Sequence, residues 1–168
     1  MKKVTVALAG NPNAGKSSIF NALTGSRQHV GNWPGKTVEK KEGQLLRDGV
    51  EINVVDLPGA YSLTAFSPEE VIARDFIINE NPDLVVTVLD SSNLERNLYL
   101  AVQVLELEVR VIAVFNMMDV AESRGIKVDF DRFSQFLQVP VIKTVASKGE
   151  GIDDLVKEIL LTAKEKTE

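Results

Sequence analysis

The sequence predicts an α/β domain with a mostly parallel sheet of six strands, one of them antiparallel, and helices on both faces. Short apolar runs rich in β-branched residues alternate with stretches of helical period, which is typical of a parallel sheet. Gly10, Asp56, Asp90 and Asn116 each directly follow one of these runs, as expected where strands end. A turn at residues 47–49 joins two runs as a hairpin and makes one strand antiparallel.

The predicted elements follow one another along the chain without a linker or a repeat. The strands are expected at residues 4–9, 37–46, 52–55, 84–89, 111–115 and 139–142. The helices are expected at residues 16–23, 68–78, 94–107, 130–137 and 152–162. The second helix has the clearest start, because Ser67 is a preferred N-cap residue and Pro68 suits the first helical position. Residues 1–168 are therefore expected to form a single domain.

Residues 25–36 fit neither pattern. Gly25, Gly31, Pro34 and Gly35 fall in this segment, which has few aliphatic residues and no clear period. We therefore predict a long loop, and loops of this length inside a compact domain are usually functional. Trp33, the only Trp of the chain, lies in this segment. Two interpretations remain for its side chain, which either packs in the core or contacts a partner.

The composition excludes several kinds of protein. The chain has 19 Lys and Arg against 24 Asp and Glu, a net charge of −5, and its basic residues are dispersed, which argues against a nucleic-acid partner. With no Cys and one His, it has neither a disulfide framework nor a thiolate or multi-histidine metal site. No apolar run approaches the roughly 20 residues that span a bilayer.

The clearest motif lies between the first strand and the first helix. Residues 10–17 match the phosphate-binding pattern GxxxxGK[ST] in the strand-to-helix context that it requires. Gly10 and Gly15 allow positive φ and close backbone approach, so that N–H groups can surround a phosphate. Lys16 is expected to contact the β- and γ-phosphates, and the Ser17 hydroxyl to bind Mg²⁺. The nucleotide-binding residues predicted here are Gly10, Asn11, Pro12, Asn13, Ala14, Gly15, Lys16, Ser17 and Ser18, the last expected on the helix surface.

Asn116 and Asp119 indicate which base is bound. They follow the strand at residues 111–115 and therefore lie at the carboxyl ends of the parallel strands, where open α/β sheets bind ligands. An Asp carboxylate accepts hydrogen bonds from the ring N–H and the exocyclic amine of guanine, whereas adenine lacks both donors at these positions. The wrong base is rejected strongly because it would leave the carboxylate buried and unpaired. We therefore predict that Asp119, with Asn116 and Met117 beside it, selects guanine and disfavours ATP.

Two further segments are expected to sense the third phosphate. Asp56 is expected to hold Mg²⁺ through a water, and the Gly59 N–H to reach the γ-phosphate. Gly35 is expected among the nucleotide-binding residues, and Thr37, two residues later, is expected to bring its hydroxyl to Mg²⁺ and its N–H to the γ-phosphate. An ordinary strand position is the alternative for Thr37. Loops at about residues 26–43 and 59–70 are accordingly predicted to be switch loops, which change conformation when the γ-phosphate is lost by hydrolysis.

In this order, the motifs resemble the translation-factor-like branch of P-loop GTPases, which implies a Ras-like fold. Longer strings resemble the FeoB family of bacterial and archaeal ferrous iron transporters over nearly the whole chain: residues 30–43, 56–63, 73–75 and 93–100. The resemblance implies a GTP- and GDP-binding G domain excised from a longer protein, without its helical regulatory domain and its membrane transporter domain. Such a fragment is expected to be soluble and to lie at the cytoplasmic face of the membrane. Self-association into a homo-oligomer stays open.

The resemblance also implies individual roles. In the family, K⁺ bound by the phosphate-loop Asn accelerates hydrolysis, and the matching residue is Asn13. Guanine-nucleotide proteins use a loop like the one containing Val145, Ala146 and Ser147 to offer the base oxygen a backbone N–H, here at Ala146. Val145 replaces the usual Ser, which predicts a looser loop, fast nucleotide release and modest affinity. Lys36 replaces an aliphatic residue and is positioned to compete for the γ-phosphate or to disturb the K⁺ site.

The sequence thus predicts a slow GTPase dependent on Mg²⁺ and stimulated by K⁺. Ala60 stands where Ras-like enzymes have a water-orienting Gln, so backbone groups are expected to orient the water, with Thr37, Glu69 and Glu70 as alternatives. The residues expected in catalysis are Asn13, Lys16, Thr37 and Gly59; those expected to bind metal are Ser17, Thr37 and Asp56 for Mg²⁺ and Asn13 for K⁺. A guanine-nucleotide sensor with incidental hydrolysis and a stand-alone GTPase are the alternatives. Regulation of iron transport is implied by the resemblance alone.

Overall fold

Seven strands form one sheet in the computed structural model, which describes residues 2–165. They are β1 (Lys2–Gly10), β2 (Gln28–Asn32), β3 (Glu39–Arg47), β4 (Val50–Asp56), β5 (Leu84–Asp90), β6 (Val111–Asn116) and β7 (Val141–Lys143). Their order across the sheet is β2-β3-β4-β1-β5-β6-β7. Strand β3 is antiparallel to both of its neighbours, and all other neighbouring strands are parallel. The predicted α/β architecture with one antiparallel strand is confirmed.

Six α-helices lie within residues 2–165. They are α1 (Lys16–Thr24), α2 (Pro68–Asp75), α3 (Leu94–Glu106), α4 (Met118–Ser123), α5 (Phe130–Leu137) and α6 (Ile152–Glu165). The predicted start of α2 is confirmed, since the Ser67 Oγ accepts a hydrogen bond from the Glu70 N–H at 3.1 Å. Helix α2 ends at Asp75 and continues as a π-helical turn, Phe76–Glu80, where the sequence predicted one helix to residue 78.

Both faces of the central strands are buried. Along β1, Val6 and Leu8 pack in a core with α1 and α6, whereas Ala7 and Ala9 pack in a second core with α2 and α3. This alternation follows from the period of two of a strand. All of β5 from Leu84 to Leu89 is buried. The prediction of helices on both faces is confirmed.

The main correction concerns residues 25–36, which we predicted to be a long loop. Gln28–Asn32 forms the edge strand β2 and pairs with β3, so the sheet has seven strands rather than six. An edge strand is paired on one side only, and four of its five residues are exposed, so no apolar pattern marked it. Strand β3 begins at Glu39, two residues after the predicted start at Thr37.

Two smaller differences lie near the other end of the sheet. Helix α4 was not predicted, because six residues are too few to show a helical period. Strand β7 begins at Val141 rather than at the predicted residue 139. Pro140 has no N–H to donate, although its carbonyl accepts a hydrogen bond from Ala113 at 2.9 Å.

Trp33 lies in the core. Its side chain is 7% exposed, and its ring meets that of Phe76 edge-on with a centroid distance of 5.7 Å. The Nζ of Lys40 lies 4.8 Å from the Trp33 ring centroid. Of the two positions left open by the sequence, the structure selects the core, so the chain after β2 is anchored at this residue.

None of the helices within residues 2–165 is both long enough and apolar enough to cross a membrane.

Candidate functional site: a phosphate-binding cavity at the sheet edge

The turn between β1 and α1 borders a cavity of about 510 Å³. Its lining residues are Asn11, Pro12, Asn13, Gly15, Lys16, Ser17, Gly59 and Met117. The cavity lies at the carboxyl ends of parallel strands, where open α/β sheets bind ligands, and its volume is in the usual range for such sites. The structure therefore brings most of the predicted phosphate loop together with Gly59 and Met117. Among the other predicted loop residues, Gly10 ends β1, Ala14 is buried, and Ser18 lies on α1 outside the lining.

Two glycines of the loop are required for different reasons. Gly15 has a φ of 86°, and a Cβ on it would collide with the Nδ2 of Asn116. Gly10 is not among the residues with positive φ, but a Cβ on it would lie 2.8 Å from the carbonyl oxygen of Val88 on β5. Of the two properties expected of these glycines, positive φ is found at Gly15 only, and close backbone approach is found at Gly10. Asn13 has a φ of 70° and is the other left-handed residue of the turn.

Lys16 is paired with the end of β4. Its Nζ lies 2.7 Å from the Oδ1 of Asp56 and also donates a hydrogen bond to the Leu57 carbonyl oxygen at 2.7 Å. The side chains of Lys16 and Asp56 are 10% and 9% exposed, so water screens their attraction less than it screens a surface pair. The predicted phosphate ligand and the predicted Mg²⁺ ligand thus contact each other.

Asn116 joins the phosphate loop to the loop after β7. Its Nδ2 donates to the Ala14 carbonyl oxygen at 3.1 Å, and its Oδ1 accepts from the Thr144 hydroxyl at 2.8 Å. The same Oδ1 accepts from the Ala146 N–H at 3.0 Å. Asn116 is 3% exposed, so these bonds form away from water. Its side chain therefore organises two loops instead of facing the cavity directly.

Asp119 lies in α4, two residues after the cavity-lining Met117, which has a φ of 58°. The Oδ2 of Asp119 is 3.7 Å from the Nζ of Lys148, and the Asp119 side chain is 38% exposed. A pair this open to solvent is weak, which leaves the carboxylate available to another donor. Ser147 lies next to Lys148 in a short 3₁₀ turn. The structure thus places Asp119 near Lys148, although Asp119 does not itself line the cavity.

The loop after β7 keeps its own backbone hydrogen bonds. Val145 is 6% exposed and exchanges two backbone hydrogen bonds with Glu150, both 3.1 Å long. These bonds do not need a hydroxyl at position 145, so the structure offers no sign of the looser loop we expected. The Ala146 N–H, expected at the base oxygen, donates to Asn116 here. Fast nucleotide release stays a prediction.

Gly59 and Ala60 are fixed against the phosphate loop. The Ala60 N–H donates to the Gly10 carbonyl oxygen at 3.1 Å, and Ala60 is 3% exposed. Gly59 lies against Pro12, which a Cβ at Gly59 would approach to 3.1 Å. Glu70, one of the alternative water-orienting acids, accepts hydrogen bonds from the Thr64 hydroxyl and the Phe66 N–H, and neither it nor Glu69 lines the cavity.

The structure does not bring Thr37 to the cavity. Residues 33–36 form a turn in which the Lys36 N–H donates to the Trp33 carbonyl oxygen at 2.9 Å. Gly35 has a φ of 70°, as a type II turn with Pro34 before it requires. Gly35, Lys36 and Thr37 are exposed and lie outside the cavity lining. The predicted Mg²⁺ ligand Thr37 is therefore not assembled with Ser17 and Asp56 in this conformation.

Sequence reasoning missed two groups of the site. The Thr144 hydroxyl fixes Asn116, and its signal was a polar residue directly after a strand at the ligand-binding edge. The Leu57 carbonyl oxygen accepts from Lys16, and no side-chain pattern marks a backbone acceptor.

The GxxxxGK[ST] turn at the cavity, Asp56 at the end of the neighbouring strand and Asn116 with Asp119 after β6 define a P-loop GTPase domain. The comparison with known sequences is more specific. The chain belongs to the family described as ferrous iron transport protein B, whose sequence profile matches residues 4–159.

Individual relatives agree with this assignment. The chain is 50% identical over 159 residues to the Fe(2+) transporter FeoB of Escherichia coli (strain K12), a match that covers 92% of this chain and 21% of the relative. It is 48% identical to the FeoB G domain of Methanococcus jannaschii, with a TM-score of 0.87 and coverage of 98% and 99% of the two chains. It is 47% identical to a cytosolic domain of the T. maritima FeoB iron transporter, with a TM-score of 0.94 and coverage of 99% and 65%.

Proposed function

We propose that this domain binds GTP and GDP with Mg²⁺ and hydrolyses GTP slowly, with stimulation by K⁺. The observation that carries the proposal is the cavity of about 510 Å³, which joins the phosphate loop to Gly59 and Met117. Solved structures of the T. maritima relative include a GDP form and a GMPPNP form. The similarity to these structures supports the same ligand class for this chain.

The phosphate end of the nucleotide would be bound by the loop and by Lys16. Backbone N–H groups at the start of α1 favour an anion through their dipoles. Lys16 would exchange its contact with Asp56 for the phosphates, which is a short movement because it already borders the cavity.

The donor set beside Lys16 fits Mg²⁺. Ser17 lines the cavity, and its hydroxyl would supply a hard oxygen ligand of the kind this ion prefers. The Asp56 carboxylate at the end of β4 would hold the ion through a water. Thr37 would complete the set after a movement of residues 34–38. When bound, the ion supplies positive charge that neutralises the phosphate oxygens.

Asn13 fits the proposed K⁺ site. It lines the cavity, it is exposed, and its left-handed backbone is one that Asn tolerates better than most residues. Its amide oxygen is a suitable ligand for a monovalent cation, which would stabilise the developing negative charge of the phosphates.

The base would be selected by Asp119. Its partly exposed carboxylate is free to accept two hydrogen bonds from guanine, and Asn116 holds the surrounding loops in place. The Ala146 N–H would reach the base oxygen by sharing or leaving its bond to Asn116.

Slow hydrolysis follows from Ala60. Its methyl group cannot orient a water, and its N–H is already bonded to Gly10. Within residues 2–165 the Gly59 N–H has no acceptor, so it remains the backbone donor at the cavity that can contact a γ-phosphate.

The whole protein would be larger than this chain, which spans about a fifth of the E. coli relative at 21% coverage. We propose that residues 1–168 form the cytosolic G domain of a ferrous iron transporter. Its nucleotide state would regulate transport by an attached membrane domain through a helical regulatory domain. Within the predicted switch loops, residues 26–27, 33–38 and 59–67 are the parts that lie outside the strands and helices.

Phosphate release from GTP tests the proposal. With Mg²⁺ present, turnover is expected to be slow in Na⁺ and faster in K⁺, and ATP in excess should not inhibit it. Tight GTP binding without phosphate release in either salt would instead support the guanine-nucleotide sensor. Inhibition by ATP as strong as by GDP would contradict guanine selectivity.

A further inference from the structure

Helix α3 holds the chain segment that follows Gly59. The Gln103 Oε1 accepts a hydrogen bond from the Leu63 N–H at 2.7 Å. The guanidinium carbon of Arg96 lies 4.2 Å from the ring centroid of Tyr61, a cation–π contact. Arg96 and Gln103 are seven residues apart, about two helical turns, so they lie on the same side of α3. One helix face therefore holds two residues of the same segment.

The same helix is fixed to the phosphate loop. The Nδ2 of Asn11 donates to the Arg96 carbonyl oxygen at 3.3 Å, and Asn11 is 3% exposed. The neighbouring Ala60 is bonded to Gly10 of that loop, and the Leu63 side chain is 8% exposed. Residues 60–63 are thus held between the phosphate loop and α3, with Gly59 directly before them at the cavity.

We propose that Arg96 and Gln103 are positioning residues that keep Gly59 at the cavity and so favour nucleotides with a γ-phosphate over those without one. Neither side chain lines the cavity, so both act through the segment they hold. A donor that is already in place loses little conformational freedom when its ligand binds, which strengthens that one contact. The inference rests on the proposed function, in which the Gly59 N–H contacts the γ-phosphate.

GDP serves as the internal control, because it lacks the γ-phosphate. A side chain with only a structural role would weaken GDP and GTP analogues alike when it is removed. A side chain that positions Gly59 would weaken only the triphosphate. The ratio of the two affinities therefore separates the two roles.

The test is calorimetric titration of the chain with GDP and with GMPPNP in Mg²⁺ and K⁺. Gln103→Met keeps the side-chain length and removes the acceptor, so GMPPNP is expected to bind about three- to tenfold more weakly, with GDP within about twofold of wild type. Gln103→Glu keeps an acceptor oxygen and should restore the wild-type ratio. Glu95→Gln, an exposed change in the first turn of α3, should leave both affinities unchanged.

Arg96 has its own matched pair. Arg96→Ala is expected to weaken GMPPNP binding about two- to fivefold without affecting GDP binding. Arg96→Lys keeps a cation near Tyr61 and should therefore lose less of the affinity for GMPPNP. Hydrogen exchange adds a direct readout, since the Leu63 amide should exchange faster in Gln103→Met than in Gln103→Glu.

The outcomes separate two failures. Equal weakening of GDP and GMPPNP by Gln103→Met, or no change in either, would overturn the positioning role while leaving the proposed function intact. No binding of either nucleotide to the wild-type chain would overturn the proposed function and this inference with it.

Discussion

The Lys16 ammonium lies 2.7 Å from the Oδ1 of Asp56. Lys16, which is expected to bind phosphate, is therefore paired with Asp56, which is expected to hold Mg²⁺. In the proposed function, nucleotide and metal would separate the two, and each would supply a new partner of opposite charge. Phosphate would replace the carboxylate beside Lys16, and Mg²⁺ would replace the ammonium beside Asp56. Binding of the nucleotide and of the metal is therefore expected to be coupled, each strengthening the other.

Asp56→Asn tests this coupling. Without Mg²⁺, the variant should bind GDP about three- to tenfold more tightly than wild type, because Lys16 no longer has a competing carboxylate and the phosphates no longer face a negative charge. Mg²⁺ should then increase the affinity less than it does in wild type. Calorimetry with GDP, with and without Mg²⁺, measures both effects, and Asp131→Asn on the exposed side of α5 is the control. The same gain from Mg²⁺ in Asp56→Asn and wild type would contradict the coupling.

Asn116 should matter for stability as well as for binding. Asn116→Ala removes three buried hydrogen bonds and leaves the Ala14 carbonyl, the Thr144 hydroxyl and the Ala146 N–H without that partner. We expect the free energy of unfolding to fall by about 2–4 kcal/mol, and by about 1 kcal/mol for Thr144→Val. Urea unfolding measures both changes.

A surface Asn provides the comparison for Asn116. Asn32→Ala changes an exposed residue of β2 and should alter the free energy of unfolding by less than about 0.5 kcal/mol. If Asn116→Ala has the same free energy of unfolding as Asn32→Ala, the hydrogen bonds by which Asn116 joins the two loops do not stabilise the fold.

The sequence predicted the parallel core of the sheet and the phosphate loop, because both depend on local patterns. Apolar runs marked β1, β4, β5 and β6, and the GxxxxGK[ST] spacing marked the turn. The edge strand β2 was not predicted, since four of its five residues are exposed and its pairing with β3 leaves no apolar pattern in the sequence. Burial of Trp33 could not be predicted from the sequence either, because it depends on contact with Phe76, which is distant in sequence.

Residue types indicated a candidate site in the sequence, but they did not give the contacts between its residues. Base recognition by Asn116 stays a prediction, whereas the bonds of its side chain to Ala14 and Thr144 were not foreseen. Gly10 was expected to allow positive φ and close backbone approach, and only the close approach, to Val88, is found. Both roles follow from how strands and loops meet in three dimensions, which motif spacing does not encode.

Asn13 offers a test of the K⁺ site. Asn13→Ala should abolish the stimulation of GTP turnover by K⁺ while GDP affinity stays within about threefold of wild type, because the phosphate loop and Lys16 are unchanged. Asn13→Gly also removes the amide but suits the φ of 70°, so it separates loss of a ligand from backbone strain. Turnover in K⁺ relative to Na⁺ is the measurement. Undiminished stimulation in Asn13→Gly would show that the Asn13 amide is not a K⁺ ligand.

Thr37 is exposed and apart from the cavity, so its contribution is expected only with a triphosphate. Thr37→Val keeps the shape and removes the hydroxyl; it should lower the rate of GTP hydrolysis at least tenfold and leave GDP affinity unchanged. Thr37→Ser keeps the hydroxyl and should retain most of the rate. Single-turnover hydrolysis measures the rate, and titration with GDP measures the affinity that should stay unchanged. A comparable loss of GDP affinity would mean that Thr37 supports the resting fold instead.

The central claim is that Asp119 and the cavity at the phosphate loop select a guanine nucleotide, and calorimetry with GDP and ADP in Mg²⁺ tests it most directly. Wild type is expected to bind GDP at least 100-fold more tightly than ADP, and Asp119→Asn to lose most of this preference, because an amide cannot accept both hydrogen bonds. Equal affinity of wild type for GDP and ADP would contradict the account.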